Sequence, residues 1–188
     1  MPQWGFFFDQ NRCMECRACM AACKDWNNVA LGPAKYRRVT ASEEGQAPLT
    51  RVYNLSLACN HCTEPACIQV CPVGNIIKRQ EDGIVVPLDK CISCKRCKAA
   101  CPYDAPQFAT MAPNELPMME KCDLCTERVQ EGQLPACVAA CPQRALDAGP
   151  MDEMIAKHGN IRTVKGAFAD PGLTKPNIIF SPRIYVED

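Results

Sequence analysis

The feature that most constrains this chain is the grouping of its sixteen cysteines into four runs of four within 188 residues. Cys13, Cys16, Cys19 and Cys23 have the spacing C-x-x-C-x-x-C-x-x-x-C, and Cys91, Cys94, Cys97 and Cys101 repeat it. Two further runs, Cys59, Cys62, Cys67, Cys71 and Cys122, Cys125, Cys137, Cys141, keep the opening C-x-x-C and the closing C-x-x-x-C around a longer middle gap. In three runs the last cysteine precedes a proline: Pro72, Pro102 and Pro142. A chain of this length has room for one or two small domains. The cysteines, rather than a large apolar core, then dictate what it can become.

This spacing is one that iron–sulfur clusters use. Three thiolates from a C-x-x-C-x-x-C loop wrap three corners of a cubane while backbone amides point at the sulfides. In two-cluster bacterial ferredoxins the last cysteine of each run ligates the other cluster, so two runs form one cross-stitched module. Four runs therefore predict two modules and four 4Fe-4S clusters. A disulfide scaffold suits shorter, exported chains better than these closely spaced C-x-x-C pairs. Structural zinc uses paired C-x-x-C motifs, but calls neither for a third cysteine at the same spacing nor for a closing C-P.

The segments between runs indicate which runs pair. From Cys71 to Cys91 the chain reads as strand, Glu81-Asp-Gly turn, strand, so the second and third runs form one module. Gly5-Phe-Phe-Phe-Asp-Gln-Asn-Arg-Cys13 parallels Gly83-Ile-Val-Val-Pro-Leu-Asp-Lys-Cys91, and Cys141-Pro-Gln-Arg-Ala-Leu parallels Cys71-Pro-Val-Gly-Asn-Ile. The first run is thus a copy of the third and the fourth a copy of the second, in reversed order. This predicts an α+β fold of two bacterial-ferredoxin-like modules, one inserted in the other, with loop-rich connections. The outer module takes residues 1–50 and 111–149, the inserted one 51–110, and a helix and C-terminal docking tail 150–188. Cross-ligation then groups Cys13, Cys16, Cys19 with Cys141, and Cys122, Cys125, Cys137 with Cys23. It also groups Cys59, Cys62, Cys67 with Cys101, and Cys91, Cys94, Cys97 with Cys71. Sequential pairing of the first run with the second and the third with the fourth uses the same sixteen positions and stays open.

Outside the cysteines the sequence says less. The formal net charge is zero, but an oxidised cluster with four thiolates carries about −2, which takes a four-cluster protein to about −8. Arg17, Lys95, Arg96 and Lys98 either offset part of this or are solvated loop charges. The longest uncharged stretch, Pro65 to Ile77, is thirteen residues broken by Pro72, too short for a membrane span. Without a basic segment before Phe6-Phe-Phe no signal peptide is expected, and assembly is expected in the cytoplasm. Export with a signal-bearing partner would place the protein in the periplasm or at the membrane. Residues 24–50 read as a polar loop, Arg51–Leu57 as a strand and 103–120 as a return connector. A short helix is expected from Pro150 to Gly159. The apolar run Asn177-Ile-Ile-Phe either docks on a partner or packs back on its own modules. His61 is surplus as a ligand, His158 suits a helix C-terminus, and Trp4, Trp26, Tyr36 and Tyr103 are expected to shield clusters from water. With no activated nucleophile, phosphate loop or flavin or nicotinamide fingerprint, the chemistry expected is one-electron transfer.

With these motifs in view, the sequence resembles the four-cluster iron–sulfur (beta) subunits of the dimethyl sulfoxide reductase family of molybdopterin enzymes. The segments that carry the likeness are Gly5-Phe-Phe-Phe-Asp with the first run, Ser56-Leu-Ala-Cys-Asn-His-Cys, Cys101-Pro-Tyr-Asp-Ala-Pro-Gln and Lys121-Cys-Asp-Leu-Cys, joined by Arg144-Ala-Leu-Asp-Ala-Gly-Pro and Thr174-Lys-Pro-Asn-Ile. The resemblance implies a large catalytic subunit with a molybdenum or tungsten bis-pterin, and a membrane quinol-oxidising subunit or a soluble electron donor as further partner. It implies no nucleic acid and no direct membrane insertion. Similarity also places the cluster of Cys13, Cys16, Cys19 and Cys141 nearest the catalytic subunit. Some relatives have tryptophan at one ligand of the third run and hold a 3Fe-4S cluster; here all four cysteines are present. A polyferredoxin serving a hydrogenase or a tungsten aldehyde oxidoreductase is the alternative that keeps the clusters.

Overall fold

A computed structural model of the protein describes residues 2–109 and 116–185. In chain order its elements are β1 (Trp4–Asp9), α1 (Ala18–Trp26), β2 (Arg38–Glu44), β3 (Arg51–Leu57), α2 (Ala66–Gln69), β4 (Ile76–Lys78), β5 (Val85–Pro87) and α3 (Arg96–Ala100). They continue with β6 (Gln107–Phe108), β7 (Met119–Glu120), α4 (Thr126–Gln130), α5 (Ala136–Ala139), β8 (Leu146–Pro150), α6 (Met151–His158) and β9 (Ile178–Ser181). The fold is α+β, made of short helices and small sheets. Helices of a single turn, such as α2 and α5, have no stability of their own in water and depend on what they pack against.

One three-stranded sheet, ordered β8-β1-β9, ties the two ends of the chain together. Strand β1 runs antiparallel to β8, with Phe8 opposite Leu146, and parallel to β9, with Phe6 opposite Ile178. Alternation along these strands separates two faces. Phe6, Phe8, Ala148, Ile178 and Phe180 enter the main core with many of the cysteines, whereas Phe7 and Ile179 meet Met151 and Met154 of α6. Helix α6 therefore covers the outer face of the sheet. Its first turn holds Asp152 and Glu153 and its last turn Lys157 and His158, signs that suit the helix dipole, and Gly159 ends it at φ 82°. Gly5 is required by packing: a Cβ there would run into the Asn177 carbonyl and the Met151 sulfur.

The hairpin read between the second and third runs is present as β4 and β5, with Ile77 opposite Val86. The expectation of a loop throughout residues 24–50 is corrected by the end of α1 and by β2, which pairs with β3 from Arg38 opposite Leu57 to Glu44 opposite Arg51. Only Val39 of β2 is buried, so the strand exists through pairing rather than through an apolar face. The connector 103–120 contains the β6–β7 pair, and its residues 110–115 lie outside the described residues. Of the two destinations considered for the apolar run near the C-terminus, the structure has it inside the protein's own sheet, with Ile178, Ile179 and Phe180 buried.

Candidate metal centres

All sixteen cysteines are free thiols, and the fold gathers them in groups that cut across the runs. One cleft is lined by Cys13, Cys16, Cys19 and Cys141, a second by Cys59, Cys62, Cys67 and Cys101, and a third by Cys71, Cys91, Cys94 and Cys97. Their empty volumes are about 330, 380 and 290 Å³. The remaining four are buried together: the thiols nearest Cys23 in electrostatic terms include Cys137 and Cys125, and those nearest Cys122 include Cys23 and Cys137. Each group takes three cysteines from one run and the last cysteine of another.

The helices make this exchange. Cys19 and Cys23 lie one turn apart on α1, and Cys137 lies on α5 with Cys141 just beyond it, so each of these packed helices contributes to two groups. Helices α2 and α3 do the same with Cys67 and Cys71, and with Cys97 and Cys101. The groups also neighbour one another in succession. Cys19 senses Cys137, and Cys122 senses Cys59 across the two helix pairs.

The loops owe their curl to an unusual backbone choice. The second spacer of every opening C-x-x-C is left-handed: Glu15 at φ 57°, His61 at 43°, Ser93 at 55° and Leu124 at 64°. None is glycine, and each such residue costs roughly 1–2 kcal/mol. Amides turn inward as a result. Ser93 donates to the Cys91 sulfur at 3.3 Å and Leu124 to Cys122 at 3.4 Å, with Glu15 doing the same for Cys13. The closing cysteines receive the amide four residues on: Asn75 to Cys71 at 3.2 Å, Ala105 to Cys101 at 3.4 Å and Ala145 to Cys141 at 3.3 Å. Cys23 has no following proline and instead receives the Asn27 side-chain amide, 3.7 Å away and also four residues on. Donors aimed at sulfur favour thiolate and help set the potential of a bound cluster.

Burial works against thiolate. It pushes the thiols of Cys23, Cys62 and Cys67 up to about 12, and those of Cys97 and Cys125 to about 11. A cation that displaces those protons is what such a set requires. The residues fit clusters better than single ions. Among the described residues no three His, Cys, Asp or Glu side chains converge as one metal ion would need, while three of the groups each surround a void large enough to separate their sulfurs.

Other residues singled out in the sequence are placed as follows. His61 is fully buried, accepts the Val85 amide on Nδ1 at 3.1 Å, and is held neutral by burial and nearby Lys121. His158 stacks on Phe7, ring centroids 3.7 Å apart, and meets the Asp147 carboxylate at 2.9 Å. Tyr36 is buried, and Tyr103 is buried and lines the second cleft. Trp26 corrects its expectation of shielding: it is exposed, with Arg128 over its ring at 4.6 Å. Arg17, Lys95 and Arg96 are solvent-facing, and Lys98 pairs with Asp104 at 2.6 Å. The cations that do lie among the cysteines were not legible. Arg37 is buried beside Cys137, Cys19, Cys122 and Cys23. Lys121, also buried, lines the second cleft and donates to the carbonyls of Val85 and Cys122. The tail segment Thr174-Lys-Pro-Asn closes the second run's loop, where Thr63 and Glu64 donate to the carbonyls of Lys175 and Thr174 and Asn177 donates to that of His61.

Comparison with known proteins supplies the family. Two models of a 4Fe-4S dicluster domain match, one over residues 50–151 and one over 12–75. The sequence is 42% identical to the iron–sulfur subunit of anaerobic dimethyl sulfoxide reductase from Escherichia coli, covering 96% of this protein and 89% of that one. It is 38% identical to the subunit of the same name from Haemophilus influenzae over 98% and 92%. A subunit of sulfite dehydrogenase from Allochromatium vinosum is 37% identical over 77% of this protein and 68% of its own length. No helix among the described residues is long and apolar enough to cross a membrane. With thiol loops built for iron–sulfur clusters and likeness over nearly its whole length, this protein belongs to the 4Fe-4S iron–sulfur subunits of the dimethyl sulfoxide reductase family.

Proposed function

We propose that the protein is the electron-transfer subunit of a molybdopterin oxidoreductase, carrying four 4Fe-4S clusters between a donor and a molybdenum or tungsten bis-pterin on a separate catalytic subunit. The ligand sets are Cys13, Cys16, Cys19 with Cys141; Cys122, Cys125, Cys137 with Cys23; Cys59, Cys62, Cys67 with Cys101; and Cys91, Cys94, Cys97 with Cys71. The observation that carries this reading is the lining of three clefts by three cysteines of one run and the closing cysteine of another. The same sets make the module of the second and third runs an insertion within that of the first and fourth. The pairing of β1 with β8 around everything between them supports this.

Each bound cluster supplies exchange of a single electron. The protein's own residues do the rest. Thiolates hold the iron, spacer amides donate to their sulfurs, and the core faces of Phe6, Phe8 and Phe180 help exclude water. Succession from the Cys13 set through the Cys122 and Cys59 sets to the Cys91 set gives electrons a route along the molecule. Exposed Cys16 and Cys94 mark its two ends, where electrons enter and leave.

The test is anaerobic isolation of the native complex with metal and sulfide analysis and mass spectrometry of every co-purifying polypeptide. The expected result is about sixteen irons on this protein, four from each cubane, and a large partner with molybdenum or tungsten. Iron accompanied by nickel, or by no pterin metal, would move the protein to the polyferredoxin class. Cys141→Ser tests the exchange itself: the signal of the Cys13, Cys16, Cys19 cluster should change, and a lesion confined to the Cys122 cluster would refute the assignment.

A further inference from the structure

Arg37 is the largest fully buried side chain of the protein, 1% exposed, immediately before β2. Its guanidinium sits 4.6 Å from the Phe6 ring centroid, and its Nη1 donates to Ser56, at 3.2 Å to the hydroxyl and 3.4 Å to the carbonyl. The Nε and Nη2 groups have no partner among the described residues, nor does any described carboxylate pair with it. What surrounds it instead is sulfur. Its backbone amide donates to Cys23, the Ser56 hydroxyl that holds Nη1 lies 3.6 Å from the Cys19 sulfur, and Cys137 and Cys122 are among its closest electrostatic neighbours. Cys19 belongs to the first group, and Cys23, Cys122 and Cys137 to the fourth. A guanidinium stays charged in any protein environment, and enclosing it without a counter-charge is strongly unfavourable. The anions within reach are the thiolates of these two groups and whatever they hold.

We propose that Arg37 is a fixed positive charge shared by the two clusters on either side of it, and that it makes both easier to reduce. This rests on the cluster assignment proposed above. Taking up one electron makes a cluster more negative by one charge, so an adjacent permanent cation favours the reduced form of each. Water is excluded there, and screening is weak. The other two clusters lie beyond its reach. Arg37 thus acts as a positioning residue for charge and is not a ligand.

The experiment is redox titration followed by electron paramagnetic resonance on the holoprotein, with iron and sulfide counted first. Four clusters in the wild type secure the assignment on which this inference rests, and fewer would sink that reading separately. In Arg37→Gln two clusters should become at least tenfold harder to reduce, equal to 59 mV for one electron, while two keep their potentials. Arg37→Lys, which restores charge without the planar fork, should recover most of that shift. If Arg37→Gln loses iron, replacement of the guanidinium by the neutral urea of citrulline keeps the shape and gives the same reading. Changes below twofold in a fully loaded neutral variant overturn the proposal. So does an equal shift in all four clusters, which reports general loosening. Iron loss from the citrulline form overturns it as well, because the charge then serves folding rather than potential.

Discussion

Removal of one ring from the sheet that joins the two termini should release the clusters. Phe180 is fully buried, lies beside Phe8 in the parallel β1–β9 pairing, and meets Phe168 edge-on at 4.8 Å between centroids. Its backbone amide also donates to the Ile161 carbonyl at 2.9 Å. Phe180→Ala leaves those backbone bonds in place and empties the ring's volume next to a core that contains Cys19 and Cys141. Phe→Ala at such sites costs about 3–5 kcal/mol, and the edge-on aromatic contact supports the upper part of that range. At about 1.4 kcal/mol per tenfold, 4 kcal/mol is on the order of a thousandfold in the folding equilibrium. Because cluster loss makes unfolding irreversible, the measurable quantity is a rate, and even a third of the effect on the unfolding barrier accelerates it about tenfold. The assay is loss of visible cluster absorption in anaerobic urea, with Ile184→Ala, at an 82% exposed position, as the control expected to match wild type. Bleaching of Phe180→Ala within threefold of wild type would show that β9 does not support the cluster-bearing core and would refute the reasoning.

Three further outcomes are expected. Gly5→Ala should lower the urea midpoint by the equivalent of at least ~1–3 kcal/mol, because its Cβ meets the Asn177 carbonyl, which cannot move without breaking the bond from Phe6; an unchanged midpoint would contradict the packing. Anaerobic removal of iron should abolish cooperative unfolding followed by circular dichroism, since one-turn helices and left-handed spacers are held by what they bind; a sharp two-state transition in the iron-free protein would oppose this. For Asp147, burial pushes the carboxyl up, but hydrogen bonds from Lys157, His158 and the Ala148 amide outweigh it and leave the group below its ordinary value. A depressed folded value means stability present above the unfolded carboxylate range, about 3.9, and lost as pH falls through the folded one. The stability gap between wild type and Asp147→Asn should therefore be open at neutral pH and close below about pH 4, and a gap independent of pH would remove the role of the charge.

What could be read from the sequence was whatever repeats or alternates. The cysteine runs, the β4–β5 hairpin and helix α6 each carry a periodicity or a spacing. Strand β2 does not: Arg38–Glu44 is polar and exposed apart from Val39, and only its pairing with β3 makes it a strand. Arg37 was equally hidden, since an arginine in a polar connector is ordinarily solvated, and its burial arises only when α1, α5 and β3 close around it. The left-handed spacers were illegible for a different reason. Glu15, His61, Ser93 and Leu124 share a conformation and no chemistry; the loop they belong to imposes it. Trp26 shows the converse, an aromatic beside a cysteine run that sequence reasoning places inside and the fold leaves outside, beneath Arg128.

Helices that each carry cysteines of two groups have a consequence for how the protein is made and how it fails. Filling one site fixes the turn of α1 that presents Cys19, and Cys23 one turn later is then already oriented for the next site. Maturation should proceed in coupled pairs, with half-loaded modules scarce at any moment. Damage runs the same path backwards. Oxygen reaches the groups containing exposed Cys16 and Cys94 first, and disassembly of either slackens a helix that its enclosed neighbour also needs. The inner sites are sheltered from oxidants by burial and left vulnerable to them by the backbone they share.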